Sequence, residues 1–157
     1  MANNTAKYSH LYAKMNQLGN IRNENQGSYK RVLFLCSAGL LRSATAAHVF
    51  SSAPYNWNTR TAGVVPEYAL NPVSEALLRW ADTIFVMEPE HLTQLDMIFG
   101  DDKMELVRHK IHMLNIPDMY PYRHPELIDA LIQSVDTVLQ EKKFQPIPDL
   151  PPLNDDF

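Results

Sequence analysis

Apolar residues along this chain fall into short runs and helical spacings, and the two alternate from about residue 30 to residue 143. Residues 32–35 (VLFL) form a continuous apolar run of strand length, the pattern of a strand buried on both faces of a parallel sheet. Residues 44–50 follow as the body of a helix. Residues 57–61 alternate and run into Ala62-Gly63, which predicts a second strand, with 64–70 a loop. Asn71-Pro72 predicts a helix start with proline at its favoured first position, and Val73, Ala76, Leu77 and Trp80 give that helix an apolar face. Residues 82–87 (DTIFVM) predict a third strand, 88–99 a third helix with Gly100 just past its end, and 111–114 a fourth strand. Residues 115–123 read as a loop. Residues 124–143 predict the last and longest helix, with Leu127, Ala130, Leu131, Ser134, Val135 and Val138 turned inward.

Strands alternating with helices predict an α/β fold, a four-stranded parallel sheet with helices on both faces. Ligands of such sheets bind at the carboxyl ends of the strands, where strand order reverses. The segment after the first strand lies on that edge. The flanks differ in character. Residues 1–29 are polar, but Tyr8, Leu11, Tyr12, Met15 and Leu18 fall at helical spacing. They predict an N-terminal extension with a short amphipathic helix, whose aromatic stripe is a candidate homodimer contact, and residues 23–28 read as a linker. Residues 144–157 hold Pro146, Pro148, Pro151 and Pro152 with three acids and read as an extended tail.

With 157 residues the chain is expected to form one domain, residues 30–143, large enough for a real core. A net charge of −4 gives no electrostatic footprint for nucleic acid, so any anion site must create its positive potential locally. The single cysteine excludes an internal disulfide framework and a four-cysteine zinc site. No signal-peptide or membrane-span pattern is legible, and the expectation is a cytoplasmic protein in a reducing compartment where a reactive thiol survives.

That cysteine is the candidate chemistry. Cys36 closes the first strand, Ser37, Ala38, Gly39, Leu40 and Leu41 follow, and Arg42-Ser43 leads into the first helix. A turn from strand to helix points several backbone N–H groups into one bowl, and the helix dipole adds positive potential. Both favour the thiolate of a cysteine seated there. Arg42 offers a planar fork for two phosphate oxygens, Ser43 can turn its hydroxyl towards the sulfur, and Gly39 permits a left-handed backbone. Given one cysteine, an arginine six places on followed by Ser or Thr arises by chance in roughly 1 in 150 sequences. The residues from Ser37 to Ser43 are therefore read as a phosphate-binding loop, not as the surroundings of a buried structural thiol.

Cys-x5-Arg-Ser after an apolar strand resembles the low-molecular-weight protein tyrosine phosphatases, over residues 30 to 140. Thr61-Ala62-Gly63, and the 81–87 segment followed by Glu90-His91-Leu92, are similar to further parts of that family. The resemblance implies a phosphomonoester hydrolase of protein tyrosine phosphatase type. Cys36 is then the nucleophile that forms a phosphocysteine, Arg42 binds phosphate, and an acid late in the chain protonates the leaving oxygen. Ile116-Pro117-Asp118-Met119-Tyr120 stands where the family keeps Asp-Pro-Tyr, which implies Asp118 as general acid and base and Tyr120 as an aromatic wall. Leu40, Leu41, Tyr68 and Tyr120 are expected to tune the substrate, a phosphotyrosine protein or small aryl phosphate. Gly39 stands where the family usually has a bracing Asn. Leu41 stands where it often has a second cysteine, so Cys36 should oxidise more readily towards sulfinic acid.

No metal or cofactor is expected: His109 and His112 lie three apart, a spacing that suits a metal on a helix, but the strand predicted at 111–114 and the lack of an acidic third ligand at fixed spacing argue against one. His48 reads as packing or surface, and His124 as flanking the last helix. Two other functions remain open. A phosphotyrosine-binding module would retain affinity without turnover. A thiol-dependent arsenate reductase would need an external thiol, since Cys36 has no cysteine partner within the chain.

Overall fold

The computed structural model describes residues 29–39, 41–67 and 69–144. The expected N-terminal helix, the 23–28 linker, the proline-rich tail, Leu40 and Tyr68 lie outside the described residues. The elements run β1 (Arg31–Cys36), α1 (Arg42–Phe50), β2 (Asn58–Gly63), α2 (Glu75–Trp80), β3 (Thr83–Val86), α3 (Pro89–Glu105), β4 (Ile111–Met113) and α4 (Pro125–Phe144). The four strands form one parallel sheet in the order β2-β1-β3-β4, as the alternation predicts.

β1 is central because it is apolar on both faces. Val32, Phe34 and Cys36 face the core shared with α1 and α4, where Ala46, Ala47, Phe50, Leu127, Leu131 and Val135 are buried. Leu33 and Leu35 face the opposite core with Leu78 of α2 and Leu95 and Met104 of α3. Phe34 stacks between Phe50 and Phe85 at 5.6 and 5.5 Å, and Phe50 continues the stack onto Trp57 at 5.2 Å. This aromatic seam ties α1 to the sheet. Strand order reverses at β1, whose neighbours are β2 on one side and β3 on the other. Cys36 therefore closes β1 at the switch point.

Several element bounds differ from expectation. α1 begins at Arg42, two residues early, because the Thr45 N–H already bonds back to the Leu41 carbonyl. β2 is displaced to 58–63 by full pairing with β1 from Arg31↔Asn58 to Cys36↔Gly63. The helix expected at Asn71-Pro72 starts at Glu75. Gly63 N donates to Asn71 O and Val73 N to Gly63 O, so residues 71–73 pair like a strand. Ser74 then caps the helix through its hydroxyl to Leu77 N at 3.2 Å. Leu78, not Ala76, is the buried residue of α2. α3 is interrupted at Gly100 (φ 80°), as expected, but a further helical turn carries it to Glu105. Among the described residues no helix is long and apolar enough to cross a membrane.

Candidate active site

Cys36 is 3% exposed at the end of β1. Two groups reach its sulfur: Gly39 N–H donates to Sγ at 3.1 Å, and Ser43 Oγ lies 3.1 Å away. The chain curls back to make this possible, with Gly39 at φ +78°. A Cβ there would meet the Ala62 carbonyl carbon at 2.8 Å and Gly63 N at 2.9 Å, and one on Gly63 would meet Ala38 backbone at 2.7 Å. The loop thus lies directly on the end of β2. Val64 N–H to Cys36 O (2.9 Å) and Val65 N–H to Ser37 O (3.0 Å) secure it there. α1 then begins with no side chain capping its N terminus and no acid in its first turn. Its leading N–H groups are left for an anion.

Arg42 is buried at 2% exposure. One amino group, Nη1, donates to Ile116 O at 2.9 Å and to the Glu88 carboxylate. Both protons of Nη1 are thereby committed, and the edge formed by Nε and Nη2 remains to face an oxyanion. Asp118 Oδ1 lies 3.8 Å from Nε, and its side chain is 59% exposed against 3% for Arg42. Ile116, two residues earlier, is buried and hydrogen-bonds its N–H to Met87 O at 2.8 Å. The far end of the loop is pinned to α1 by Arg123, whose N–H donates to Thr45 Oγ1 at 3.1 Å and whose guanidinium meets His48 Nδ1 at 3.2 Å.

The structure thus brings Cys36, Gly39, Arg42, Ser43 and Asp118 together. Tyr120 packs against the α1–α4 core and over His124 at 6.4 Å, and Leu41 is exposed. Two further residues at the site were missed as functional groups: Glu88 and His91, at the corner between β3 and α3. Burial pushes the Glu88 carboxyl up, but hydrogen bonds from Arg42 and Glu90, with the Arg42 charge, outweigh it and hold the group below its usual range. His91 is 1% exposed. Its Nδ1 accepts from Glu88 N–H at 3.1 Å, and its Nε2 lies 3.1 Å from Ser37 Oγ. The signal that could have found both is position: they follow the strand next to β1, on the ligand-binding edge. His109 lies in the 3-10 turn before β4, and the His112 ring lies 5.9 Å from Phe85. Among the described residues no His, Cys, Asp and Glu cluster could hold a metal.

Burial, then the Arg42 charge, lowers the His91 pKa from 6.5 to about 4, against the opposing pull of Glu88 and Asp118. A base whose folded pKa is depressed binds fewer protons folded than unfolded between those values, so stability falls as pH drops through that window. The parent is expected to lose about 2 kcal/mol more than His91→Phe between pH 7 and pH 4.5. Urea unfolding of both proteins at the two pH values measures the difference, and equal losses would refute it.

Neither a protein-family model nor a curated protein matches the sequence. Solved structures do. The tyrosine phosphatase Wzb from Escherichia coli K30, in complex with phosphate, matches with a TM-score of 0.54 at 20% identity, covering 72% of this chain and 98% of that one. The Erwinia amylovora tyrosine phosphatase AmsI matches with a TM-score of 0.54 at 18% identity, over 72% and 93%. The YwlE arginine phosphatase, with a phosphorylated active-site serine, matches with a TM-score of 0.52 at 21% identity, over 73% and 99%. The likeness to the low-molecular-weight phosphatases read from the sequence extends to the fold.

Proposed function

We propose that this chain is a cysteine-dependent phosphatase that hydrolyses phosphotyrosine through a phosphocysteine. The observation that carries this reading is Cys36 Sγ between Gly39 N–H and Ser43 Oγ, at an uncapped helix N terminus beside the Arg42 guanidinium. The N–H groups of Ser37, Ala38, Leu41 and Arg42 and the Nε–Nη2 edge of Arg42 hold the phosphate dianion and stabilise the transferring phosphoryl group. Cys36 reacts as its thiolate, and Ser43 Oγ, 3.1 Å from the sulfur, is placed to donate to it. The thiolate attacks phosphorus in line, the S–P bond forms as the P–O bond breaks, and Asp118 gives its proton to the leaving oxygen. Asp118, now a carboxylate, takes a proton from water as that water attacks phosphorus. The S–P bond breaks, inorganic phosphate leaves, and the thiolate is restored. Tyr120 serves as a wall for an aryl ring.

A second substrate class is favoured by one observation. The fold is also that of the YwlE arginine phosphatase, and Asp118, 59% exposed beside Arg42, offers a carboxylate that the guanidinium of a phosphoarginine can meet. The test is metal-free turnover in the presence of a chelator and a reductant, with phosphotyrosine and phosphoarginine peptides side by side. Phosphate release with trapping of a phosphocysteine supports the reaction. A preference of 10-fold or more for either peptide assigns the substrate class. Binding of phosphotyrosine peptide without phosphate release would overturn the enzyme reading in favour of a binding module.

A further inference from the structure

The nucleophile loop is short of side chains with which to hold its shape. Ala38 and Gly39 offer none that is polar, and Leu41 is exposed. Among the described residues between Cys36 and Arg42, Ser37 is the exception, and its hydroxyl meets His91 Nε2 at 3.1 Å across 54 residues of sequence. The roles in this contact follow from the other ring nitrogen. His91 Nδ1 accepts the Glu88 backbone N–H, so the neutral ring carries its proton on Nε2 and donates it to Ser37 Oγ. Ser37 keeps its own hydroxyl proton for another acceptor, and the acceptor that the reaction brings is the phosphate dianion.

The same corner holds the other end of the loop. Glu88, whose N–H fixes the His91 ring, places its carboxylate on Arg42. Ser37 and Arg42, the first and last groups to meet the anion, are therefore both held from one turn between β3 and α3. We propose that His91 is a positioning residue of the nucleophile loop: through Ser37 it holds the loop in its anion-binding shape and orients the Ser37 hydroxyl towards phosphate. The inference rests on the phosphatase reading of the loop, and its test separates the two.

Three variants measure it: Ser37→Ala, His91→Phe and the double variant, with His91→Gln as the conservative replacement that keeps an amide donor near the Nε2 position. Two readouts are taken. The first is kcat and KM for an aryl phosphate. The second is alkylation of Cys36 by iodoacetamide, with the concentration of inorganic phosphate that halves its rate. Each single variant is expected to lower kcat about 10–100-fold and to weaken phosphate protection, because a small misplacement of the loop is costly. The double variant should be no worse than the poorer single, since both break one contact. His91→Gln should recover most of the loss. Single effects that multiply in the double variant would overturn the proposal. So would a His91→Phe protein that melts lower yet keeps kcat and protection. If that protein does not fold, His91→Ala takes its place in the same cycle with Ser37→Ala. A parent whose Cys36 is protected by phosphate but which shows no turnover sinks the phosphatase reading and leaves the brace testable by alkylation. A parent with neither protection nor turnover overturns both.

Discussion

Cys36→Ser is expected to lower kcat by at least about 10⁵-fold while leaving phosphate binding within a few-fold of the parent. The magnitude follows from removing the nucleophile of a covalent mechanism, where single replacements cost on the order of 10⁶-fold. Serine preserves the geometry. Its oxygen can still accept the Gly39 N–H and face Ser43 Oγ, and the loop is secured by Val64 and Val65 backbone bonds that do not involve the side chain. What it lacks is a sulfur nucleophile: an alcohol is a far weaker nucleophile towards phosphorus than a thiolate. The measurement is steady-state hydrolysis of an aryl phosphate beside calorimetric titration with inorganic phosphate. Turnover within 100-fold of the parent would show that the phosphoryl group never resides on Cys36.

Asp118→Asn is expected to cut kcat by about 10²–10⁴-fold, the usual worth of a general acid. The loss should grow with the pKa of the leaving group, because a weakly basic oxygen departs without help and a tyrosyl oxygen does not. The side chain is well placed for such selectivity: it is open to water, yet its carboxylate stands 3.8 Å from Arg42 Nε, at the edge left for the anion. Comparing kcat for p-nitrophenyl phosphate and for phenyl phosphate measures it. An equal loss on both substrates would mean that Asp118 acts through Arg42 and not on the leaving group.

The strand-helix alternation and the Cys36–Ser43 loop were legible because each rests on residues adjacent in the chain. The apolar run of β1, the lone cysteine and the arginine six places on need no tertiary information. The start of α2 was misplaced because Pro72 is a plausible first helical residue in isolation. Gly63, eight or more residues away, claims that backbone instead, and Ser74 was the true cap. The corner at Glu88 and His91 was illegible as chemistry for a related reason. Glu88 meets Arg42 across 46 residues and His91 meets Ser37 across 54. Nothing local distinguishes a charged residue at a helix start that supports an active site from one that faces solvent. Only the strand order β2-β1-β3, which brings the ends of β1 and β3 side by side, makes that distinction.

The contact between the loop and β2 has a consequence for how this sequence can change. An asparagine at position 39 tolerates a left-handed backbone, so strain alone would not forbid it. The obstacle is the Ala62 and Gly63 backbone at 2.8 and 2.9 Å from where its Cβ would sit, atoms that cannot rotate aside as a side chain would. A side-chain brace at position 39 therefore requires the β2 end to retreat first, and that retreat by itself would loosen the Val64 and Val65 bonds that now hold the loop. Each first step is costly without the other. A single substitution at position 39 is therefore expected to unseat the loop from β2 before any new brace can form.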